Sequence, residues 1–219
     1  MLIVSSPLWL ASTNCYAIAA EAGSQAVIVD APPDPEGVIE LLARHRLIPV
    51  ALVVTHGHVD HCGGAGSVVG ATGITAYVHP DDDFLTLDPG RQMQMMLGQA
   101  IPNDFAPPDY LALSGGETLT LAGFDFEVRH TPGHTPGHCC FFEAGEGLLF
   151  SGDQLFAGSI GRTDLPGGDT GALFRSMRDH VMTLDDGVRV LPGHGPETTI
   201  GRERRTNPFR DEWETLAQS

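Results

Sequence analysis

Apolar residues along the chain fall into short strand-like runs separated by breakers and by a few amphipathic stretches. Residues 2–9 and 14–20 alternate or run apolar, with a turn around Ser12 to Asn14, and Ala26-Val27-Ile28-Val29 is a third strand that stops at Asp30. The breaker run Ala31-Pro32-Pro33-Asp34-Pro35 follows. Asp34 is expected to cap a helix with Pro35 in its first turn, because Val38, Leu41, Leu42 and His45 share one helical face. Val50-Ala51-Leu52-Val53-Val54 is apolar throughout and predicts a buried strand. It runs directly into Thr55-His56-Gly57-His58-Val59-Asp60-His61.

A helix over about 61–70 and a strand over 74–78 come next. Residues 81–116 carry Asp81-Asp82-Asp83, Met93, Met95, Met96 and Pro102, Pro107, Pro108, which predicts one or two short helices in a long excursion. Strands are expected at 118–121, 124–130, 138–142 and 147–151. A helix at about 169–183, a strand at 188–191 and one or two C-terminal helices complete the order. Two β-rich halves, each ending in helices, predict an α/β protein of one domain, residues 1–219, with a short C-terminal helical stub at about 199–219.

Composition removes several functions. The 12 basic residues are all arginine and stand against 28 acidic ones, for a net charge of −16. Such a chain repels phosphate backbones, so no nucleic-acid partner is expected. Without lysine there is no Schiff base, no lysine general base and no Walker-type phosphate lysine. A 42% hydrophobic, 18% charged chain folds, yet no run approaches the ~20 apolar residues of a membrane span, so no membrane partner is expected. No basic residue precedes Arg44, and Cys15, Cys62, Cys139 and Cys140 lack framework spacing. Reduced thiols and a cytoplasmic location are therefore expected.

The ten histidines change the picture most. Just past a strand the chain is extended, so His56, His58 and Asp60, at i, i+2 and i+4, are expected to project alike while His61 opens a helix. Three later strands end in breaker-rich turns that each hold a strong ligand: His134 after Thr131-Pro132-Gly133, Asp153 after Ser151-Gly152, and His194 after Leu191-Pro192-Gly193. By chemistry, one divalent metal could take His56, His58 and His134, and a second could take Asp60, His61 and His194. Asp153 could bridge them beside a shared water.

These motifs resemble the metallo-β-lactamase superfamily. More specifically, Thr131-Pro132-Gly133-His134-Thr135-Pro136-Gly137-His138, Gly152-Asp153-Gln154-Leu155-Phe156 and Asn207-Pro208-Phe209 are similar to compact glyoxalase II-type hydrolases. The resemblance implies a four-layer αβ/βα sandwich with the metal site at the edge between two sheets. It implies the same ligand roles, with Asp30 supporting the ligands from behind and Arg162 contacting substrate. The activity implied is hydrolysis of small-molecule thioesters of the S-lactoylglutathione type by a metal-bridging hydroxide that Asp60 also orients. Zinc is the first expectation for both metals, with iron or manganese as alternatives. Oligomeric state is not legible. The main alternative is a mononuclear-iron persulfide dioxygenase, which Gly161-Arg162-Thr163-Asp164 resembles and which would bind iron through His56, His134 and Asp153; another ester or thioester hydrolase of the superfamily is the other.

The remaining candidates read as structural. His45, His79, His130 and His180 lack partners at ligand spacing, and His138 is expected to pack near the site. Met93, Met96 and Leu97 share a helical face. Asp81-Asp82-Asp83 reads as a solvated helix start, Arg202, Arg204 and Arg205 as a solvated face, and Cys62 as packing because the metals already supply the nucleophile.

Overall fold

The computed structural model describes residues 1–98 and 106–216. Pro102 and the side chains of Met96 and Leu97 lie outside the described residues. The chain divides into two compact units, Met1–Leu113 with Thr120–Gly123, and Ser114–Leu119 with Phe124–Ser219.

In the first unit the elements are β1 (Leu2–Leu8), β2 (Thr13–Ala19), β3 (Gln25–Val29), α1 (Pro35–His45), β4 (Ile48–Val53), α2 (Val59–Cys62), α3 (Ala65–Thr72), β5 (Thr75–Val78), a 3-10 turn (Pro80–Asp82), α4 (Asp83–Thr86), α5 (Pro89–Leu97) and β6 (Tyr110–Ala112). The six strands form one sheet in chain order. The β1–β2–β3 meander is antiparallel, and β3 through β6 run parallel. The Asp34 carboxylate accepts from Gly37 N at 3.0 Å to start α1, as the sequence predicts. Val38, Leu41 and Leu42 of α1 and Ala65 and Val68 of α3 then cover Cys15, Ala17, Ala26, Ile28, Leu52 and Val54 on one sheet face. Tyr16, Ile18, Val27, Val29, Ala51 and Val53, which alternate with those residues, are buried too. Burial of both faces explains why β3 and β4 read as unbroken apolar runs.

The second unit contains the start of β7 (Thr118–Leu121), whose last two residues fall in the first unit, and then β8 (Phe124–His130), β9 (Cys139–Glu143), β10 (Leu148–Gly152), the short hairpin of β11 (Leu155–Phe156) and β12 (Ser159–Ile160), α6 (Thr170–Ser176), a π-helical turn (Met177–Val181), β13 (Arg189–Pro192), β14 (Thr198–Thr199), α7 (Ile200–Thr206) and α8 (Arg210–Leu216). Its sheet has the order β14-β13-β10-β9-β8-β7. Strand β9 is antiparallel to both β8 and β10, while β13 is parallel to β10. The C-terminal ends of β8, β10 and β13 therefore emerge at the same sheet end. Trp213 of α8 is buried with Cys140, Leu149, Met177, Val181 and Ile200, fixing the helices to this sheet.

The expected α/β class with two helix-bearing sheets is what the structure shows. The helix expected over 61–70 is instead two helices, α2 and α3, parted at Gly63 and Gly64, and α2 starts two residues earlier than the sequence suggests.

Candidate metal centre

In the first unit the donors follow β4. Thr55 leaves the strand, His58 is extended with φ −66° and ψ 142°, and α2 begins at Val59. The extended alternation expected for His56, His58 and Asp60 thus holds only as far as His58. Asp60 and His61 sit on a helical turn, which still brings them together: His61 Nε2 lies 3.6 Å from Asp60 Oδ2. The His56 ring centroid is 4.1 Å from that of His61 and 4.8 Å from that of His58. His56 Nε2 and His58 Nδ1 are 3.0 Å apart.

Asp30 explains why these rings face as they do. It adopts a left-handed φ of 61°, unfavourable for a residue other than glycine, and it is buried. Its carboxylate accepts from Thr55 N at 2.7 Å, from the Thr55 hydroxyl, and from His61 Nδ1 at 2.8 Å. The Thr55 hydroxyl, its own hydrogen given to Asp30, accepts from His56 Nδ1 at 3.0 Å. One carboxylate therefore places the proton of both rings on Nδ1 and leaves each Nε2 as a lone-pair donor. Thr13 Oγ1 donates to Asp60 Oδ2 at 3.0 Å and holds that carboxylate.

In the second unit the three strand-end turns deliver His134, Asp153 and His194 to one sheet end. Asp153 Oδ2 lies 3.5 Å from His134 Nε2 and 3.6 Å from His194 Nε2, nearly equidistant and too long for hydrogen bonds. Ligands bound at ~2.1 Å in a tetrahedron are separated by about 3.4 Å, so these spacings match those of two atoms on one cation. His134 Nδ1 donates to the Arg162 carbonyl at 2.7 Å, again presenting Nε2. Gly133 makes this turn possible: its φ is 146°, and a Cβ there would fall 2.3 Å from the Leu173 backbone.

His138 does more than pack. Its Nδ1 donates to the Thr131 hydroxyl at 2.9 Å, and its Nε2 accepts from Asp153 N at 3.0 Å, so it holds the backbone of a ligand. The Arg162 guanidinium lies at the surface in a two-pronged pair with Asp164 at 2.7 and 2.8 Å, which holds the Asp164 carboxyl down at about 2. Burial, with Asp60, Asp82 and Asp30 nearby, pushes the Cys62 thiol far above its ordinary range. Two surface readings are corrected. Asp82 is fully buried and accepts from Gly57 N at 2.7 Å, whereas Asp81 and Asp83 are exposed. Arg204 is not simply solvated: it donates to the Met182 and Leu184 carbonyls and pairs with Asp186.

Thr13, Thr55, Thr131 and the Arg162 carbonyl carry no sequence signal, since each acts on a ligand through a hydrogen bond and not through ligand chemistry. Taken unit by unit, three imidazoles and one carboxylate in the first and two imidazoles and one carboxylate in the second, three of the five rings with Nε2 as the lone-pair donor, have the chemistry of divalent-metal ligands.

Comparison with known proteins gives the same direction. Residues 8–194 match the Metallo-beta-lactamase superfamily. Hydroxyacylglutathione hydrolase GloC of Haemophilus influenzae is 39% identical over 185 residues, 84% of this chain and 86% of that protein. The crystal structure of the BLEG-1 B3 metallo-beta-lactamase superposes with a TM-score of 0.88 at 38% identity, covering 95% of this chain and 99% of that one. That of TTHA1623 in a di-iron-bound form gives 0.83 at 40% identity, covering 95% and 100%. A mixed α/β fold with two sheets and helices is what these matches share with this chain, and the di-iron relative leaves zinc unsettled as the metal. Among the described residues no helix is long and apolar enough to cross a membrane.

Proposed function

Because this chain belongs to the metallo-beta-lactamase superfamily, of metallo-hydrolases, we propose that it is a dinuclear hydrolase of S-acyl thioesters of the S-lactoylglutathione type. His56, His58 and His134 would hold one cation and Asp60, His61 and His194 the other, with Asp153 shared. When bound, the two cations supply Lewis acidity and make a water nucleophilic near neutral pH. The observation that carries the reading is Asp153 Oδ2, which lies 3.5 Å from His134 Nε2 and 3.6 Å from His194 Nε2, spacings that suit a shared ligand.

The chain's own residues have defined work in this scheme. Asp30 and Thr55 fix the tautomers of His56 and His61, the Arg162 carbonyl fixes that of His134, and His138 holds the Asp153 backbone. Asp60, steadied by Thr13, orients the attacking water. Water adds to the acyl carbon through oxygen and gives up one proton to solvent, the C–S bond breaks, the thiol leaves as a thiolate, and the carboxylic acid formed ionises to a carboxylate. That leaving group needs no protonation, so the reaction requires no dedicated acid, whereas an amide nitrogen would. GloC at 39% identity supports the thioester reading. The likeness to the BLEG-1 enzyme favours β-lactam hydrolysis as a second reading.

Steady-state hydrolysis of S-lactoylglutathione, with and without chelator, tests the proposal. Chelator-sensitive turnover of the thioester that exceeds turnover of a chromogenic cephalosporin supports it; the reverse order favours the second reading. Rapid oxygen uptake with glutathione persulfide on iron-loaded protein would replace hydrolysis by dioxygenase chemistry.

A further inference from the structure

The long excursion after β5 returns to the ligand loop at its backbone. Once the chain leaves β4, the peptide groups around His58 have no strand ladder to join, and the N–H of Val59 is an orphan donor in the first turn of α2. Gln92, on α5, meets both needs. Its Oε1 accepts from Val59 N at 3.0 Å, and its Nε2 donates to Gly57 O and to Leu85 O, both at 2.9 Å. Only one orientation of the amide satisfies all three bonds. Asp82 takes the remaining group, accepting from Gly57 N at 2.7 Å, and the Cys62 thiol adds a weak bond to Gly57 O at 3.4 Å. The approach is close. A Cβ on Gly57 would sit 2.9 Å from the Cβ atoms of both Asp82 and Leu85, so only glycine admits these partners.

We propose that Gln92 and Asp82 are positioning residues: Gln92 locks the peptide planes on either side of His58, Asp82 locks the plane between His56 and Gly57, and together they set the mutual aim of the His56 and His58 rings. This inference rests on the reading of those two histidines as metal ligands. Residues that orient ligands without touching the metal typically govern its affinity by about 10–100-fold. Gln92 has the greater leverage, because its one amide bonds the chain on both sides of a single ligand.

The test is zinc affinity by chelator competition, together with thermal melting of the metal-free protein, for wild type, Gln92→Leu, Gln92→Glu, Asp82→Asn and His56→Ala. Gln92→Glu is nearly isosteric but sets a carboxylate oxygen against the Gly57 and Leu85 carbonyls. It is expected to weaken zinc binding at least as much as Gln92→Leu, and both by about tenfold or more. Asp82→Asn keeps an acceptor for Gly57 N and is expected to stay within about threefold of wild type. The metal-free melting temperatures of the Gln92 variants should fall by several degrees, about what the loss of part-buried hydrogen bonds produces, with the chain still folded at the temperature of the zinc assay. Should Gln92→Glu fail to fold, Gln92→Leu carries the test.

Wild-type zinc affinity in the Gln92 variants, or an affinity loss that only follows their unfolded fraction, overturns the inference. His56→Ala separates it from the reading beneath it. If His56→Ala loses zinc while the Gln92 variants keep it, the clamp alone is wrong; if His56→Ala binds zinc as wild type does, the ligand reading is wrong.

Discussion

Asp30 adopts a backbone conformation that costs a residue other than glycine about 1 kcal/mol or more, and it is held there by what its carboxylate does for Thr55 and His61. Asp30→Ala should therefore weaken metal binding by about 10–100-fold, measured by chelator competition, because two rings lose their fixed tautomers. Asp153→Ala should lose nearly all thioester turnover and lower the bound metal found by elemental analysis. Cys62→Ala should leave kcat close to wild type, since the thiol is buried and held protonated. At this scale the sequence was legible wherever chemistry is concentrated: seven ligand-type residues follow four strands in a telling order. Of their supports, Asp30 was named by resemblance alone, and the bonds themselves were not legible. Thr13 reaches Asp60 across 47 positions and Asp30 reaches Thr55 across 25, contacts that no local pattern reports.

Among elements, long strands were legible because their apolar runs exceed a turn's length, and α1 because its cap and apolar face agree. Strands β6, β11, β12 and β14, of two or three residues each, are too short for any period to register. The excursion carries the short helices expected of it, α4 and α5, but its aspartate run was misread for a different reason. Three consecutive aspartates look solvated, but the chain turns there so that Asp82 faces inward to Gly57 N while its neighbours face out. In the second unit, Arg204 joins α7 to the carbonyls that end the π-helical turn, which charge patterning alone could not show. Two stability predictions belong here. Gly133→Ala drives a methyl into the Leu173 backbone and should cost about 2–3 kcal/mol in a urea titration. Trp213→Ala empties the middle of the second unit's helix-to-sheet core and should cost about 3–5 kcal/mol by the same measurement.

For the molecule as a whole, the superfamily assignment and the donor chemistry converge on metal dependence. Surface ion pairs are poor candidates for what stabilises this acidic chain. Arg44–Glu40, Arg162–Asp164 and Arg189–Glu197 are exposed, and water and salt screen such pairs so that they contribute little. Cations that bind only the folded state would contribute more, about 2.7 kcal/mol per site at a free concentration of 100 times Kd. Metal-loaded protein should accordingly melt several degrees above chelated protein, and the difference should shrink in Asp153→Ala. The claim on which all of this depends is that the donors serve two cations. Elemental analysis of protein purified without added metal measures that directly: the account predicts about two equivalents of transition metal per chain, falling in Asp153→Ala. One equivalent or less in the wild type, unchanged by that substitution, would contradict it.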